Sequence, residues 1–566
     1  MVCERAGVPL GMYQLDGALS YPLGGAFIQF GADALVAWRL AVVALVGVGF
    51  VALFWLGRRL TGSIAVASML TAMLGLGSTM TARSWSWYWN VVAAALLPIL
   101  FATVYVLYDR ARARQVRHLV PPAAAVLASV TMIGIEWSYA GLFATVVALG
   151  AVTLLALQRG WAPLQRVALI GGAGVGAAVV VAVQRWRLTA AGVAEQFSGA
   201  SGNAGRRAVD LVSFVTPHGD TSLLGRGLHL VGGDRMLAGA LTEGDQLWAA
   251  PYLGVLTITL LVVVYVCRRT RLEPNPHCPP GYMSLLLAVV AGSLMLSLGP
   301  DVRVARLALP DASFTWPGAA LWPSTPLRWI RYPWTWTFLA HIALLLTFAA
   351  LTPALLRRRG SWSPLVWLLA VVVILEFVSP AVLASATDTR PGVMTAPARN
   401  RFSSSHPTIA QFETSDLREL RRALRKARGT VTLLPWANTW VIPYVATMDG
   451  TRVRNVGIDR NVRRVQRVAP IGRRELRHPT VDTVRRILES GWADAVVLLD
   501  YMPANAGAIV RHEHQHLGPV DLRRKRWVQR ASTRLVGTYC IEQYSWFTVV
   551  TSCADPPEPI RVSGHM

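Results

Sequence analysis

The run "ALVAWRLAVVALVGVGFVALFWLGRRL", residues 34–60, decides the fold class of this chain. Between Arg39 and Arg58 it contains no charged side chain. A helix needs roughly 20 apolar residues to cross the hydrocarbon core of a bilayer, and it satisfies its own backbone hydrogen bonds while doing so. We therefore predict a transmembrane helix at residues 34–56.

Apolar runs of this kind recur over the first two thirds of the chain. The 566 residues are 53% hydrophobic and 15% charged, and the mean hydropathy is +0.41. This composition is too apolar for one water-soluble domain. We predict a polytopic α-helical membrane protein with about ten transmembrane helices, the other nine at residues 62–80, 91–108, 119–135, 138–157, 167–184, 251–267, 283–299, 334–356 and 363–384.

Much of the positive charge of the membrane part of the chain falls in arginine clusters that follow every second predicted helix. The net charge is +24, but its position at helix ends indicates membrane topology rather than nucleic-acid binding. Positively charged loops remain on the cytoplasmic side. The clusters predict a multi-pass protein of the plasma (inner) membrane, whose extracytoplasmic parts are residues 1–33, 185–250, 300–333 and everything after about 385. The clusters are Arg58/Arg59, Arg110/Arg112/Arg114/Arg117, Arg159/Arg166, Arg268/Arg269/Arg271 and Arg357/Arg358/Arg359.

The N-terminal segment is unusual in this topology. Residues 1–33 are predicted to form an outer loop, yet nothing before residue 34 resembles a signal peptide or an upstream helix. We expect either that this short segment crosses the membrane unaided or that the natural chain starts earlier, with a helix that this sequence lacks.

The C-terminal residues 385–566 begin with a polar linker and are predicted to form a small extracytoplasmic domain after the transmembrane domain of residues 34–384. "SDLRELRRALRKARG" and "HPTVDTVRRILESG" have a Ser/Asp and a Thr/Asp start signal, respectively, and each ends with glycine and leads into an apolar run. Helix-then-strand units predict an α/β domain with partly parallel strands. The basic face of the first helix is interpreted as a solvated surface, with phosphate or lipid-headgroup binding as the alternative.

Two cysteines, Cys540 and Cys553, flank the alternating segment "IEQYSWFTVVTS", which predicts a β-hairpin. Both are predicted to lie on the outer side, where disulfides persist. The sequence is compatible with a disulfide between them and equally with two free thiols.

Ionisable groups near the apolar runs are candidate functional residues, because a charge at the bilayer centre costs roughly 2.5 kcal/mol or more. Glu136 in "MIGIEWSYAG" is a candidate base or cation ligand, and the alternative is an interfacial glutamate beside Trp137 at a helix turn. His341 and Glu376 are expected to satisfy each other between the last two predicted helices.

The predicted outer loops contain a second group of candidates. "DLVSFVTPHGDTSLLGRG", residues 210–227, combines His218 and Asp220 with flexible glycines, and "WPSTPLRWIRYPWTW", residues 322–336, sets Arg328, Trp329 and Arg331 at a membrane interface. Arginine forks bind phosphate oxygens in pairs, and aromatic rings favour the headgroup level. These residues therefore suit a lipid-linked phosphate; the alternative is that they anchor helix ends.

The segment "HEHQH", residues 512–516, matches the H-E-x-x-H pattern of zinc peptidases. On a helix it would place His512 and His516 on one face as zinc ligands and Glu513 as a general base. Gly518 and Pro519 end the segment at once, and no third ligand is identifiable. A zinc peptidase is a minor alternative, and no residue is assigned to a metal.

Four segments resemble the bacterial GT-C-fold membrane glycosyltransferases and a related branch of multi-spanning proteins. The resemblance covers most of residues 13–384, and the α/β domain in outline. It is carried by "ALSYPLGGAFIQFGADALVAWRLAVVALVGVGFVALFWLGRRLTGSIAVASMLTAMLG" (18–75), "YLGVLTITLLVVVY" (252–265), "LMLSLGP" (294–300) and "PLRWIRYPWTWTFLAHIALL" (326–345).

The resemblance implies a polyprenyl-phosphate sugar as donor and catalysis on the outer face. In that superfamily the first outer loop carries an acidic residue that serves as base or metal ligand, and the corresponding positions here are Asp16 and Glu4. The usual acidic pair is absent, as is the helix that would precede it. The resemblance implies no certain cofactor and leaves a divalent metal open.

These observations together predict a polyprenyl-phosphate-sugar-dependent glycosyltransferase that acts on a cell-envelope glycan or lipid. Asp16 is the predicted base, Asp220 and Glu136 are secondary catalytic candidates, and Arg328 and Arg331 are the predicted phosphate clamp, with His218 and Trp329 as further substrate-binding candidates. The expected partners are the bilayer, the lipid-linked sugar and the acceptor. The alternative is a non-catalytic protein that binds or translocates a lipid-linked glycan.

Overall fold

A computed structural model provides the structure of the chain. It describes residues 2–3, 12–13, 19–32, 34–76, 90–113, 115–158, 160–190, 211–214, 253, 275–299, 303–304, 307–308, 336–356, 415–427, 429–434, 451–454, 471–472, 475–476, 478–499, 522–544 and 547–553. The chain divides into two compact units, the first formed mainly by residues 15–389 and the second mainly by residues 390–566.

The first unit is helical. Its described helices are α1 (Ser20–Gln29), α2 (Ala34–Thr61), α3 (Ile64–Leu76), α4 (Asn90–Ala111), α5 (Val120–Glu136), α6 (Ser138–Ala156), α7 (Pro163–Ala190), α8 (Tyr282–Ser297) and α9 (Thr337–Leu356). Two pairs of two-residue strands are also described: β1 (Val2–Cys3) pairs with β2 (Met12–Tyr13) in the second unit, and β3 (Arg303–Val304) pairs with β4 (Leu307–Ala308) in the first.

Four of the described helices are long and apolar enough to cross a membrane, which is fewer than the ten predicted. They contain the segments Leu40–Thr61, Val92–Ala111, Arg117–Glu136 and Pro163–Trp186. Shorter apolar helices occupy four further predicted spans, at Ile64–Gly75, Ala140–Ala156, Tyr282–Ser297 and Thr337–Pro353. The predicted spans 251–267 and 363–384 fall outside the described helices.

Helix α4 is the most enclosed of the four long helices. In the most apolar segment of α4, 78% is buried in the protein, whereas the corresponding share for α7 is 11%. Alanine and leucine side chains along α4, such as Ala93 and Leu100, are fully buried, so neighbouring helices approach it closely. Within the described part of the chain, α4 is therefore a core helix and α7 a peripheral one.

The second unit contains an α/β domain with a mixed sheet. The strands are β5 (Thr430–Leu434), β6 (Arg452–Val453), β7 (Ala495–Leu499), β8 (Tyr539–Gln543) and β9 (Phe547–Ser552), in the order β6-β5-β7-β9-β8. Strand β5 pairs in parallel with β6 and β7, while β9 pairs antiparallel with β7 and β8. The predicted α/β class and its partly parallel pairing are confirmed.

Three helices accompany this sheet: α10 (Ser415–Lys426), α11 (Val481–Glu489) and α12 (Leu522–Leu535). Helices α11 and α12 contribute Val484, Ile487, Val528 and Leu535 to one apolar core with sheet residues such as Val496. This domain therefore has a hydrophobic core of its own.

The predicted ends of α11 are confirmed by its local geometry. Thr480 accepts a hydrogen bond from the Thr483 amide, and its own amide donates to the Thr483 hydroxyl, which forms a capping box. Gly491 has a φ of +64°, a left-handed conformation that favours glycine after a helix.

A disulfide joins Cys540 and Cys553 across the hairpin formed by β8 and β9, with a Cα–Cα distance of 5.2 Å. The predicted hairpin is confirmed, and the bridged alternative is the one present.

We expect the double substitution C540S/C553S to lower the free energy of unfolding of the α/β domain by about 3 kcal/mol. The lost cross-link joins cysteines 13 residues apart. A cross-link over this length reduces the conformational entropy of the unfolded chain, and the reduction corresponds to about 3 kcal/mol of stability. Chemical denaturation of the full chain, followed by the exchange of amide hydrogens in β7 and β9, measures the change. Reducing agent should reproduce the shift in the natural chain and leave the variant unaffected; equal midpoints for the oxidised and reduced natural chain would contradict the expectation.

Candidate functional site

The candidate site lies where helices α5 and α6 meet. Glu136 is the last residue of α5, and Trp137 follows in an extended conformation, with φ of −150° and ψ of 117°, before α6 begins at Ser138. The change of backbone direction turns the chain back through the bundle. Glu136 is fully buried, with 0% of its surface exposed.

The Glu136 carboxylate binds the beginning of helix α1. Its Oε2 atom accepts hydrogen bonds from the amides of Leu19, at 3.0 Å, and Ser20, at 3.1 Å. Its Oε1 atom accepts a bond of 2.7 Å from the Ser20 hydroxyl. One buried acidic side chain thus receives three donors from a distant part of the chain, since Ser20 and Glu136 are 116 residues apart.

These contacts compensate for a missing local cap. The first amides of a helix have no partner within the helix, and an anion at that end is favoured by the helix dipole. Leu19 occupies the N-cap position of α1 and makes no side-chain capping bond, and the first turn has no acidic residue. Glu136 therefore supplies the capping acceptor that the sequence of α1 lacks.

Close packing between α5, α6 and α7 determines the position of this carboxylate. A Cβ atom added to Gly141 of α6 would lie 2.5 Å from the Cα of Gly134 in α5. From α7, the buried Gln184 side chain donates a hydrogen bond of 3.0 Å to the Gly134 carbonyl oxygen. Only glycine at both positions permits this approach, so the α5–α6 junction is a rigid element.

An aromatic cluster continues from the junction to helix α9. The Trp137 and Phe143 rings meet edge to face with centroids 6.0 Å apart, and the Phe143 and Trp336 centroids are 4.2 Å apart. Trp336 is buried and directly precedes α9. The beginnings of α1 and α9 are therefore both held by residues at, or within two turns of, the α5–α6 junction.

Of the predicted site residues, Glu136 is the one that the structure describes. Its catalytic role stays a prediction; the observed role is to cap α1. His341 is buried in α9, but its expected partner Glu376 has no described position. The following predicted residues also lie outside the described ranges: Asp16, His218, Asp220, Arg328, Trp329 and Arg331, together with the zinc candidates His512, Glu513 and His516.

The described residues contain no group of three or more His, Cys, Asp or Glu side chains that could hold a metal ion. Both oxygens of Glu136 accept hydrogen bonds from α1 and its N-cap residue. The described part of the site is therefore a fixed anionic cap with an aromatic neighbourhood.

At the other end of α6, a polar cluster that the sequence reasoning missed joins several helices. Buried Asn275 donates from Nδ2 to the carbonyl oxygens of Leu60 in α2 and Ala350 in α9, both at 2.9 Å. Its Oδ1 atom accepts from the His277 amide, also at 2.9 Å. One amide side chain thus connects the two helices and fixes the turn that leads to α8.

The same turn is held by hydroxyl and amide donors from other helices. Tyr105 of α4 donates to the His277 carbonyl oxygen at 2.8 Å, and Gln158, just after α6, donates to the Pro280 carbonyl oxygen at 3.0 Å. Cys278 is a thiol that donates weakly to the Pro279 carbonyl oxygen. The signal in the sequence was the proline-flanked asparagine of "NPHCPPGY", residues 275–282, which is typical of an ordinary loop.

Comparison of the chain with protein-family models and with curated proteins gave no match.

Proposed function

We propose that the protein is a GT-C-like glycosyltransferase of the plasma membrane, which transfers a sugar from a polyprenyl-phosphate donor to a cell-envelope glycan or lipid on the outer face. The acceptor hydroxyl loses its proton to a carboxylate, with Asp16 as the first candidate. The hydroxyl oxygen bonds to the anomeric carbon while the bond from that carbon to the phosphate oxygen breaks. Arg328 and Arg331 stabilise the polyprenyl phosphate that leaves.

The observation that carries the proposal is that two distant segments of the chain meet at the α5–α6 junction. Ser20 is bonded to Glu136, and Asp16 precedes Ser20 by four residues. Trp336 packs on Phe143, and Arg331 precedes Trp336 by five residues. Each candidate is thus four or five residues in sequence from a contact at this junction, and this short separation supports the proposal that the two act on one substrate.

The disulfide supports the proposed sidedness. Disulfides persist in oxidising compartments and are rare in the cytosol, and Cys540 is bridged to Cys553. An extracytoplasmic α/β domain accounts for this bridge. Helices α2 and α4 also end with the basic residues Arg58, Arg59 and Arg110, which supports a cytoplasmic location for those ends.

The proposal is tested with the full chain in nanodiscs, supplied with a panel of polyprenyl-phosphate sugars and membrane-extracted acceptors. Release of polyprenyl phosphate is the readout, because every donor of this class yields it. We expect D16A to reduce kcat/KM by about 100-fold or more, as for loss of a general base, and R331A to reduce it by a similar factor through loss of charge stabilisation.

The matched controls are D109A and R112A. Asp109 and Arg112 form a half-exposed ion pair of 3.2 Å at the end of α4, so their removal tests the same residue types away from the junction. We expect both controls to retain activity. The proposal would be overturned if the D16A variant and the R331A variant each retained full activity.

A second candidate function is binding or translocation of a lipid-linked glycan without chemistry. The hydrogen bonds of Glu136 favour this function, because both oxygens of its carboxylate accept hydrogen bonds from the beginning of helix α1. Under this function the natural chain binds polyprenyl-phosphate sugar in the nanodisc without releasing polyprenyl phosphate. Loss of release with retained binding in D16A supports the transferase instead.

A further inference from the structure

Helix α12 has one face fixed in the core of the α/β domain. Val528, Ala531 and Leu535 are buried at helical spacing and pack with residues of α11 and the sheet. Ser532 is also buried and donates to the Val528 carbonyl oxygen at 2.8 Å. The rotation of this helix about its axis is therefore set by packing, and so is the identity of the face that points outward.

The outward face carries a stripe of cations. Lys525, Arg526, Arg530 and Arg534 are all exposed, and the three arginines follow one another at four-residue spacing along the helix. The stripe from Arg526 to Arg534 is about 12 Å long at 1.5 Å per residue. Helix α12 contains no acidic residue, and none of these four side chains forms an ion pair with another described residue.

Helix α11 of the same domain contains an arginine that is neutralised by an acidic partner. In α11, the Arg486 guanidinium is paired with Glu475 at 2.7 Å. Like charges four residues apart on a helix repel one another, so the arrangement in α12 costs stability within the domain. An external anion relieves this repulsion, which makes the stripe a surface suited to a negatively charged partner.

We propose that helix α12 docks on the anionic phospholipid surface of the membrane in which the chain is embedded. The same polypeptide contains four helices that can cross a bilayer, and this covalent connection gives the membrane surface a high effective concentration. Lipid phosphates form a continuous plane of acceptors, which matches a straight row of guanidinium groups. Val536, which is 46% exposed beside Arg534, supplies an apolar contact at the same end.

The docking is measured with the full chain in nanodiscs of phosphatidylcholine, with or without phosphatidylglycerol. A photo-crosslinking amino acid replaces Gln529, which is exposed on α12, and in a second preparation replaces Gln543, which is exposed on β8. Mass spectrometry then counts the lipid adducts. We expect adducts at position 529 to increase at least about fivefold when phosphatidylglycerol is present, since each basic residue near an anionic surface contributes about that factor.

Removal of the arginines should abolish the difference in adduct yield at position 529 between nanodiscs with and without phosphatidylglycerol. We expect R526Q/R530Q/R534Q to lower adducts at position 529 to the phosphatidylcholine level, and high salt to do the same through screening. The matched control R422Q/K426Q/R452Q removes three exposed cations elsewhere in the domain and should leave the adducts unchanged. An intact Cys540–Cys553 bridge and an unfolding midpoint no lower than that of the natural chain verify folding of each variant.

Two outcomes overturn the proposal. Equal adduct yields at positions 529 and 543 in both lipid compositions show that α12 has no preference for an anionic surface. Crosslinks from position 529 to protein or to a soluble polyanion, in place of lipid, assign the stripe to a different partner. Neither outcome affects the transferase proposal, which is tested by release of polyprenyl phosphate.

Discussion

The E136A substitution is expected to lower the free energy of unfolding of the helical unit by on the order of 3–5 kcal/mol. It removes the fully buried acceptor of three hydrogen bonds from Leu19 and Ser20, of which the two from Ser20 are buried and the one from Leu19 is partly buried. Each buried donor left without a partner costs about 1–3 kcal/mol. Unfolding in mixed detergent micelles measures the total, and hydrogen exchange over residues 19–29 locates the loss in α1.

Two matched variants separate capping from catalysis. S20A removes one of the three bonds and should cost about 1–2 kcal/mol. E136Q keeps an acceptor oxygen for the backbone amides and donates to the Ser20 hydroxyl, so it should cost less than E136A. If Glu136 acts as a cap, E136Q retains most transferase activity; if Glu136 is the base, E136Q loses activity as fully as E136A does. Equal stability of E136A and the natural chain would contradict the capping role.

The positions of the apolar helices α2 to α9 were predictable because a hydrophobic run is a local property, whereas the short helix α1 lies in the segment predicted as an outer loop. The run at residues 34–56 marks α2 and the run at 167–184 marks α7, but both helices extend further, to Thr61 and over Pro163–Ala190. Hydropathy identifies the part of a helix that suits lipid, whereas backbone hydrogen bonds continue into the polar turns beyond it. The predicted spans are therefore shorter than these helices.

The α/β domain was predictable where its signals are local. The Thr480 cap and Gly491 are recognisable from a few residues, and so is the hairpin that Cys540 and Cys553 close. The pairing of β7 with β9 joins segments about 50 residues apart, and hydrophobic alternation does not specify which strands become neighbours. The strand order is therefore a property of the folded domain rather than of any one segment.

The candidate site shows the same division. Glu136 was recognisable because a carboxylate within apolar sequence is costly and requires a partner. Its partner Ser20 lies 116 residues away, and no local pattern connects the two. Asn275 was missed because an amide between polar residues and prolines carries no sign of burial, although its side chain is 6% exposed.

The N275D substitution is expected to have the largest effect on the helical unit, with a loss on the order of 5 kcal/mol. Asparagine and aspartate have nearly the same shape, so packing is preserved. The substitution replaces the Nδ2 donor by an oxygen that faces the carbonyl oxygens of Leu60 and Ala350, each now 2.9 Å from an unsuitable partner. Two hydrogen bonds become repulsive contacts, and a charge is introduced where the natural side chain is almost fully buried.

The control for this substitution is Q158A, which removes an exposed amide that bonds to the same turn through the Pro280 carbonyl oxygen. It should cost less than about 1 kcal/mol, because water replaces the lost donor. Acidic buffer should restore part of the stability of N275D, since a protonated carboxyl group donates one hydrogen bond again. N275A should show no such pH dependence. If N275D loses no more free energy of unfolding than Q158A does, Asn275 does not hold α2 and α9 together. A large loss that acid partly reverses identifies the Nδ2 donor, rather than the volume of the side chain, as the connection between the two helices.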